Sequence, residues 1–410
     1  MKQIPEMTEL SQDMFLRAMD DHLQLQEAVD LLKSEASVRR VRDTLAYFAK
    51  IPVGQIDELK SFLTGKLCEC VTDAKPDSIR RKVQMWMKDD ALSINKQGAI
   101  QIAFALHLNL AEADILLKRL CEEGFHWRDP EEIVYIYGLM HGLSYGETVA
   151  VYNEMKEKKL LECSDKAEGM AYTDQVKNRV SKLTSVEELE EYLRKAAGEL
   201  GKFHNTAYSL FMDFLELLGM PEMDYDTVFR KDTHKDYDEK SLVDIKKYAS
   251  RDIMDIYLYR RFIPVSQRKS KEDPESEKVV YSAMQRNVRQ NWPDEVTLSK
   301  MIHRETDVTR KVLILLFLAT DGGESSYADD YLDERTPEEL FMDVYERLNM
   351  MLSDCGFAGL DPRIQFDWMI LYCICVDDSI FIDGKIQHFL AEVFPSTGAV
   401  PDMAYSDTDE

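Results

Sequence analysis

Two similar segments, 232 residues apart, constrain the fold of this 410-residue chain more than any other feature. The first, Cys121-Glu122-Glu123-Gly124-Phe125, is followed three residues later by Asp129-Pro130, and the second, Cys355-Gly356-Phe357, three residues later by Asp361-Pro362. Each follows an amphipathic apolar stretch and precedes an aromatic-rich one. Because Gly, Asp and Pro select particular backbone turns, the equal spacing predicts the same turn twice and therefore two related structural units.

The composition favours helices in both units. The chain is 45% hydrophobic and contains only 17 Gly and 12 Pro, with many Leu, Met, Glu and Lys residues, whose side chains lose little rotamer freedom in a helix. Alternating β-branched residues are scarce. The sequence therefore predicts an all-α protein, and its length predicts more than one packed unit.

Helical periodicity and charge divide the chain into five predicted parts. They are N-terminal amphipathic helices (1–50), a first helical lobe (51–160), a helical connector (161–250), a second, diverged lobe (251–394) with an acidic insertion (321–339), and a disordered acidic tail (395–410).

The order of segments before the second turn resembles the order before the first. Residues 312–319 are similar to 100–106, and residues 345–352 are similar to 113–120. The second copy is longer by the 19 residues of the insertion, which hold eight carboxylates and one Arg. A stretch so charged cannot be buried in a core, so we expect a solvated loop or a short polar helix there.

The net charge of -25 is concentrated at the C-terminal end. The last ninety residues contain 21 acidic and 4 basic side chains, whereas residues 251–311 contain 13 basic and 10 acidic ones. An acidic chain repels nucleic-acid phosphates, so nucleic-acid binding would need a local basic face. The basic stretch 251–311 could bind phosphate or dock on the acidic C-terminal part.

The seven cysteines predict reduced thiols and a cytoplasmic location, because their number is odd and no signal peptide precedes them. Cys68 and Cys70, like Cys373 and Cys375, are separated by one residue and lack the two-residue gap of a zinc site, so we expect them to pack in cores. No phosphate-binding glycine loop or catalytic grouping of His, Ser and acid is evident. We therefore expect no metal, no cofactor and no enzymatic activity, and no apolar run is long enough to span a membrane.

The helix order of the first lobe resembles the helix-turn-helix domain of the lambda-repressor/Cro type, in a form seen among Firmicute regulators. The similarity covers residues 55 to 155. It is carried by residues 100–106, 110–113, Leu116-Leu117, the Gly124-Phe125 and Asp129-Pro130 turn, and His141-Gly142-Leu143-Ser144. The resemblance implies two related helix-turn-helix-like lobes joined by a helical connector, and a DNA-binding transcription regulator that contacts double-stranded DNA, with homodimer formation as a further expectation.

By position, the resemblance makes the helix at 77–88 the element that would enter the major groove of DNA. Ser78, Arg81 and Lys82 are the candidates for base or phosphate contact, and Lys75, Arg80 and Lys88 for backbone phosphate. The alternative for this helix is an ordinary solvated face whose cations pair with acidic neighbours. The alternative for the whole chain is a protein-interaction adaptor that has kept the fold, has lost DNA binding, and binds a basic protein partner through residues 321–410.

Overall fold

The computed structural model describes most of the chain. The described residues are 9–20, 22–33, 40–88, 91, 93–163, 173–219, 250, 253–254, 257–259, 282–320, 336–375 and 382–394.

All regular structure in the described part of the chain is α-helical, which confirms the predicted fold class. The helices are α1 (Glu9–Ala18), α2 (Leu25–Lys33), α3 (Val41–Ala49), α4 (Ile56–Cys70), α5 (Pro76–Trp86), α6 (Lys96–Ala105), α7 (Leu110–Cys121), α8 (Pro130–Met140), α9 (Tyr145–Glu157), α10 (Thr173–Val180), α11 (Val186–Ala196), α12 (Asn205–Gly219), α13 (Ala283–Arg289), α14 (Glu295–Ile302), α15 (Arg310–Ala319), α16 (Pro337–Asp354), α17 (Gln365–Ile374) and α18 (Ile382–Val393).

The helices form two hydrophobic cores, which we call the first and second lobes. The first lobe contains α3 to α11 and its buried side chains run from Val41 to Leu200. The second lobe contains α1, α2 and α12 to α18. The chain therefore starts in the second lobe, builds the first lobe, and returns to complete the second.

This division differs from the predicted N-terminal part at 1–50 and connector at 161–250. Helices α1 and α2 pack on α17 and α18 of the second lobe, whereas α3 packs on α4 and α7 of the first. Helices α10 and α11 contribute buried side chains to the first core, and α12 contributes them to the second. Amphipathic periodicity shows that a helix has a buried face but does not identify the partner of that face.

Polar side chains of α17 fix the N-terminal helices to the second lobe. The Trp368 indole N–H donates to the Met14 carbonyl at 2.9 Å, and the Gln365 amide donates to the Leu32 carbonyl at 2.6 Å. Trp368 is fully buried. Removing roughly 150–250 Å² of aromatic surface from water contributes about 4–6 kcal/mol at ~25 cal/mol per Å².

Each lobe contains an ion pair of its own, and the two pairs lie at equivalent positions of equivalent helices. Lys96 is the first residue of α6, and its Nζ lies 2.7 Å from Oε1 of Glu132, the third residue of α8. Arg310 is the first residue of α15, and its Nη2 lies 2.7 Å from Oδ2 of Asp367, the third residue of α17. A cation is disfavoured at a helix N-terminus, and in each lobe a carboxylate offsets that cost.

These contacts correct the register of the repeat. In the first lobe the Phe125 N–H donates to Asp114 Oδ1 at 2.8 Å, and in the second the Leu360 N–H donates to Asn349 Oδ1 at 2.7 Å. The counterpart of Gly124-Phe125 is therefore Gly359-Leu360, three residues beyond the Gly-Phe that the sequence paired with it. Our prediction that the two Gly-Phe pairs occupy the same turn position was wrong.

The absence of a side chain at these glycines explains the true register. A Cβ on Gly124 would lie 2.4 Å from Asp114 Oδ1, and a Cβ on Gly359 would lie 2.7 Å from Asn349 Oδ1. Only glycine leaves room for the side chain that accepts the next backbone N–H. The repeated Asp-Pro makes the same local turn twice, but it opens α8 directly and precedes α17 by several residues.

The Gly-Phe of the second lobe instead joins the two lobes. Residues 122–124 and 356–358 form an antiparallel bridge, which we call the seam. Gly356 adopts a left-handed φ of 80°, which favours glycine there. The seam's hydrogen bonds run from the Gly124 N–H to the Gly356 carbonyl (3.2 Å) and from the Ala358 N–H to the Glu122 carbonyl (3.0 Å).

Candidate nucleic-acid interface

Helices α4 and α5 are consecutive helices of the first lobe that pack against each other. A short turn, residues 71–75, joins them, and α4 packs against α3, α5 and α6. Pro76 at the first position of α5 suits a helix start because its missing N–H would have had no helical partner. The helix is held by Ile79 and Val83, which are buried one turn apart.

The remaining surface of α5 faces solvent. Ser78, Arg81, Lys82 and Met85 follow the i, i+3, i+4, i+7 spacing of one helix face, and all four are exposed. Arg80 lies on the flank of this face. Between residues 75 and 88 the sequence has five basic side chains and one acidic one. We call this exposed surface of α5 and its ends, residues 75–88, the α5 face.

All six predicted contact residues lie on the α5 face, four within the helix and two at its ends. They are Lys75, Ser78, Arg80, Arg81, Lys82 and Lys88, and each is exposed. Asp89 and Asp90, the acidic residues that follow them, lie outside the described residues.

Among the ion pairs of the described residues, Arg80 is the member of this set that pairs with a carboxylate. Its Nη1 lies 2.7 Å from Asp77 Oδ1, and both side chains are well over half exposed. An exposed ion pair of this kind contributes about 0–1 kcal/mol, so Arg80 can exchange the carboxylate for another anion at little cost. The predicted alternative was a solvated face whose cations pair with acidic neighbours. Among the described ion pairs, the one formed by a cation of α5 is that of Arg80 with Asp77.

The second lobe does not repeat the basic face. Its helix α14 precedes α15 as α5 precedes α6, but it exposes Val296 and Lys300 and begins next to Asp294 and Glu295. The Asp294 side chain accepts the Thr297 N–H, and this bond holds the pKa of Asp294 below its ordinary value. The start of α14 has two carboxylates where α5 has Asp77 alone, so the second lobe has no counterpart of the basic α5 face in the part of the chain that the structure describes.

Sequence reasoning missed two members of the α5 face. Gln84 and Met85 are exposed, Met85 by 55% of its surface. The spacing of the buried residues Ile79 and Val83 could have revealed them, since positions five and six after Ile79 point away from the core. A glutamine amide can read a base edge, and an apolar tip can contact a thymine methyl group.

Other chemistry is sparse in the described part of the chain. Among those residues no three His, Cys, Asp or Glu side chains could share a metal ion. Beside the seam the lobes enclose about 40 Å³, room for about three waters and far below a site of roughly 300–1,000 Å³ for small molecules. Burial raises the pKa of the Cys373 thiol, as expected for a packed cysteine. No helix that the structure describes is long and apolar enough to cross a membrane.

Comparisons with known proteins found no protein-family model, curated protein or solved structure that matches the chain.

Proposed function

We propose that this protein is a DNA-binding regulator of the helix-turn-helix class, and that the α5 face of the first lobe is its contact with DNA. The observation that carries the proposal is the exposure of six contact candidates, four on α5 and two at its ends, in a chain that is otherwise strongly acidic. A basic surface that serves no packing role is the electrostatic pattern expected for phosphate binding.

In this proposal α5 lies in the major groove with its N-terminal half towards the bases. Ser78, Arg81 and Lys82 contact base edges or nearby phosphates, since they share the face opposite the buried residues. Lys75, Arg80 and Lys88 lie at the ends and flank of the helix and bind backbone phosphates. Phosphate contacts of this kind supply affinity and fix orientation, whereas base contacts supply sequence preference.

The large negative charge of the chain is compatible with this proposal at moderate salt. The Debye length is about 8 Å at 0.15 M salt, whereas α5 is roughly 16 Å long. Carboxylates more than a Debye length from the α5 face are largely screened, and the local charge decides the interaction. At much lower salt the acidic remainder repels DNA over a longer range.

A charge-reversal experiment with a matched control tests the proposal. Arg81→Glu with Lys82→Glu places two carboxylates on the α5 face, and Arg194→Glu with Lys195→Glu makes the same change on exposed positions of α11 in the same lobe. We expect the native chain and the α11 variant to shift a fragment of the protein's own upstream DNA in a gel, and the α5 variant to lose the shift. An equal shift by all three would exclude the α5 face.

The adaptor alternative depends on the acidic residues 321–410, of which 321–335, 376–381 and 395–410 lie outside the described residues. It predicts no shift by the native chain and co-purification of a basic protein through that region. The α5 face favours the DNA proposal, because an adaptor working through its acidic end has no need of an exposed basic helix.

A further inference from the structure

Two histidines meet where the lobes join. His126 follows the seam residue Gly124 by two positions, and His204 lies between α11 and α12, where the chain returns to the second lobe. Their ring centroids are 4.1 Å apart, and His126 is only 7% exposed. The seam residue Phe357 packs its ring 5.2 Å from that of His204, so the pair is part of the contact between the lobes.

Asp307 of the second lobe fixes His204. Its carboxylate accepts the His204 backbone N–H at 3.0 Å and lies 2.6 Å from the ring Nδ1. These two contacts hold the His204 ring in place against His126.

The groups around His126 oppose its charging. Cations approach it from α6 (Lys96) and from its own turn (Arg128), and His204 approaches from the other lobe. Burial, together with these neighbours, holds the pKa of His126 well below its ordinary value. Glu132 of α8 accepts the His126 backbone N–H at 2.7 Å, and burial raises the pKa of that carboxyl to about 7 despite its pairing with Lys96.

We propose that the His126–His204 stack is a pH-sensitive lock, which holds the lobes together at neutral pH and releases them when His126 gains a proton. In the described part of the chain, the polar contacts between the lobes besides the seam include the Gln290 Nε2 bond to Ser93 Oγ (2.6 Å) and the approach of Glu122 Oε2 to Arg310 Nη1 (3.8 Å). Each lobe has its own hydrophobic core, so separating the rings, the seam and these contacts would leave both cores intact. The proposal does not depend on DNA binding.

The sign of the effect follows from proton binding. In the closed form His126 is neutral, and in the open form it is hydrated, with an ordinary pKa of about 6.5. Below that pH, opening takes up one proton, so closure weakens about tenfold per pH unit. Glu132 and Lys96 belong to the same lobe, so their pair persists on opening and contributes little to this difference.

Hydrogen exchange of the seam amides measures opening directly. The Gly124 and Ala358 N–H groups are bonded across the lobes, whereas the Leu59 N–H is bonded within the first lobe and serves as the control. Protection factors, corrected for intrinsic exchange rates, are compared from pH 7.5 to 5.5, which stays above the isoelectric point of about 4.8. We expect protection of the two seam amides to fall roughly fivefold between pH 6.5 and 5.5, because His126 of the open form is already half protonated at pH 6.5, and we expect Leu59 to be unchanged.

The variant His126→Phe keeps an aromatic ring against His204 but cannot be protonated. We expect it to retain seam protection across the whole pH range. Protection in the native chain that does not change with pH, or a loss in His126→Phe equal to that in the native chain, would overturn the proposal. If circular dichroism shows that His126→Phe is unfolded, His126→Gln takes its place with the same expected outcomes.

Discussion

Replacing Asp367 by alanine measures what a buried charge costs the second lobe. Asp367 is completely buried and accepts hydrogen bonds from Arg310 Nη1 at 2.8 Å, from Arg310 Nη2 at 2.7 Å and from the Asp361 N–H at 2.9 Å. Without the carboxylate, Arg310 would remain buried, with the carbonyl groups of Ala358 and Gly359 as its nearest described acceptors. These acceptors are neutral, and the Glu122 carboxylate, 3.8 Å from Arg310 Nη1 and partly exposed, balances the charge of Arg310 only in part.

The expected loss is about 3–5 kcal/mol of unfolding free energy, the usual consequence of leaving a buried charge unpaired. Asp13→Ala is the matched control, because Asp13 pairs with Arg17 at 3.1 Å on α1 of the same lobe while both side chains are more than half exposed. An exposed pair of this kind contributes about 0–1 kcal/mol. The two substitutions remove the same group and differ in burial.

Urea unfolding followed by tryptophan fluorescence provides the assay. Trp292 and Trp368 belong to the second lobe, and Trp86 and Trp127 to the first. In a parent protein that carries Trp86→Phe and Trp127→Phe, the tryptophan fluorescence reports on the second lobe alone. This separation is needed because two cores need not unfold together. A loss below about 1 kcal/mol for Asp367→Ala, no larger than that of the control, would refute the reasoning.

Two further predictions follow from the described geometry. Gly124→Ala should lower the stability of the first lobe by roughly 1–3 kcal/mol, because the new methyl group displaces the Asp114 carboxylate from the Phe125 N–H. Gly146 is a helical position in α9 with open space around it, so Gly146→Ala should instead stabilise the lobe by about 0.5–1 kcal/mol. Equal melting temperatures for the two variants would contradict both expectations. Burial lowers the pKa of Lys311 to about 8. Between about pH 8 and the ordinary pKa of lysine, the folded chain therefore binds fewer protons than the unfolded chain. The stability of the folded chain should rise with pH in that interval. Lys311→Met should remove that rise in urea titrations between pH 8 and 10, and an unchanged slope would show that Lys311 is not the cause.

Local features of the fold followed from the sequence. The all-α class was confirmed, and the predicted helix at 77–88 corresponds to α5 at Pro76–Trp86. Prediction succeeded there because Pro76 marks the start of the helix, while Ile79 and Val83 mark its buried face. The exposure of Arg81 and Lys82 follows from the same spacing.

Long-range features did not follow from the sequence. The two Gly-Phe pairs have the same spacing from Asp-Pro and therefore look equivalent in the sequence. The contacts of Asp114 and Asn349 show instead that the counterpart of Gly124-Phe125 is Gly359-Leu360, three residues later. The missing information was which side chain fills the space left by each glycine. Likewise, nothing in the periodicity of α1 and α2 indicates that their partners are α17 and α18, more than three hundred residues away.

The salt dependence of DNA binding tests most directly whether the α5 face binds DNA. Fluorescence anisotropy with a labelled duplex would give the affinity of the native chain, of Arg81→Glu/Lys82→Glu and of Arg194→Glu/Lys195→Glu between 50 and 200 mM salt. Each lost phosphate contact should lower the slope of log affinity against log salt by about 0.9. We therefore predict a slope shallower by up to about 2 for the α5 variant and an unchanged slope for the α11 variant. Equal slopes for all three proteins, or no binding by the native chain, would contradict it.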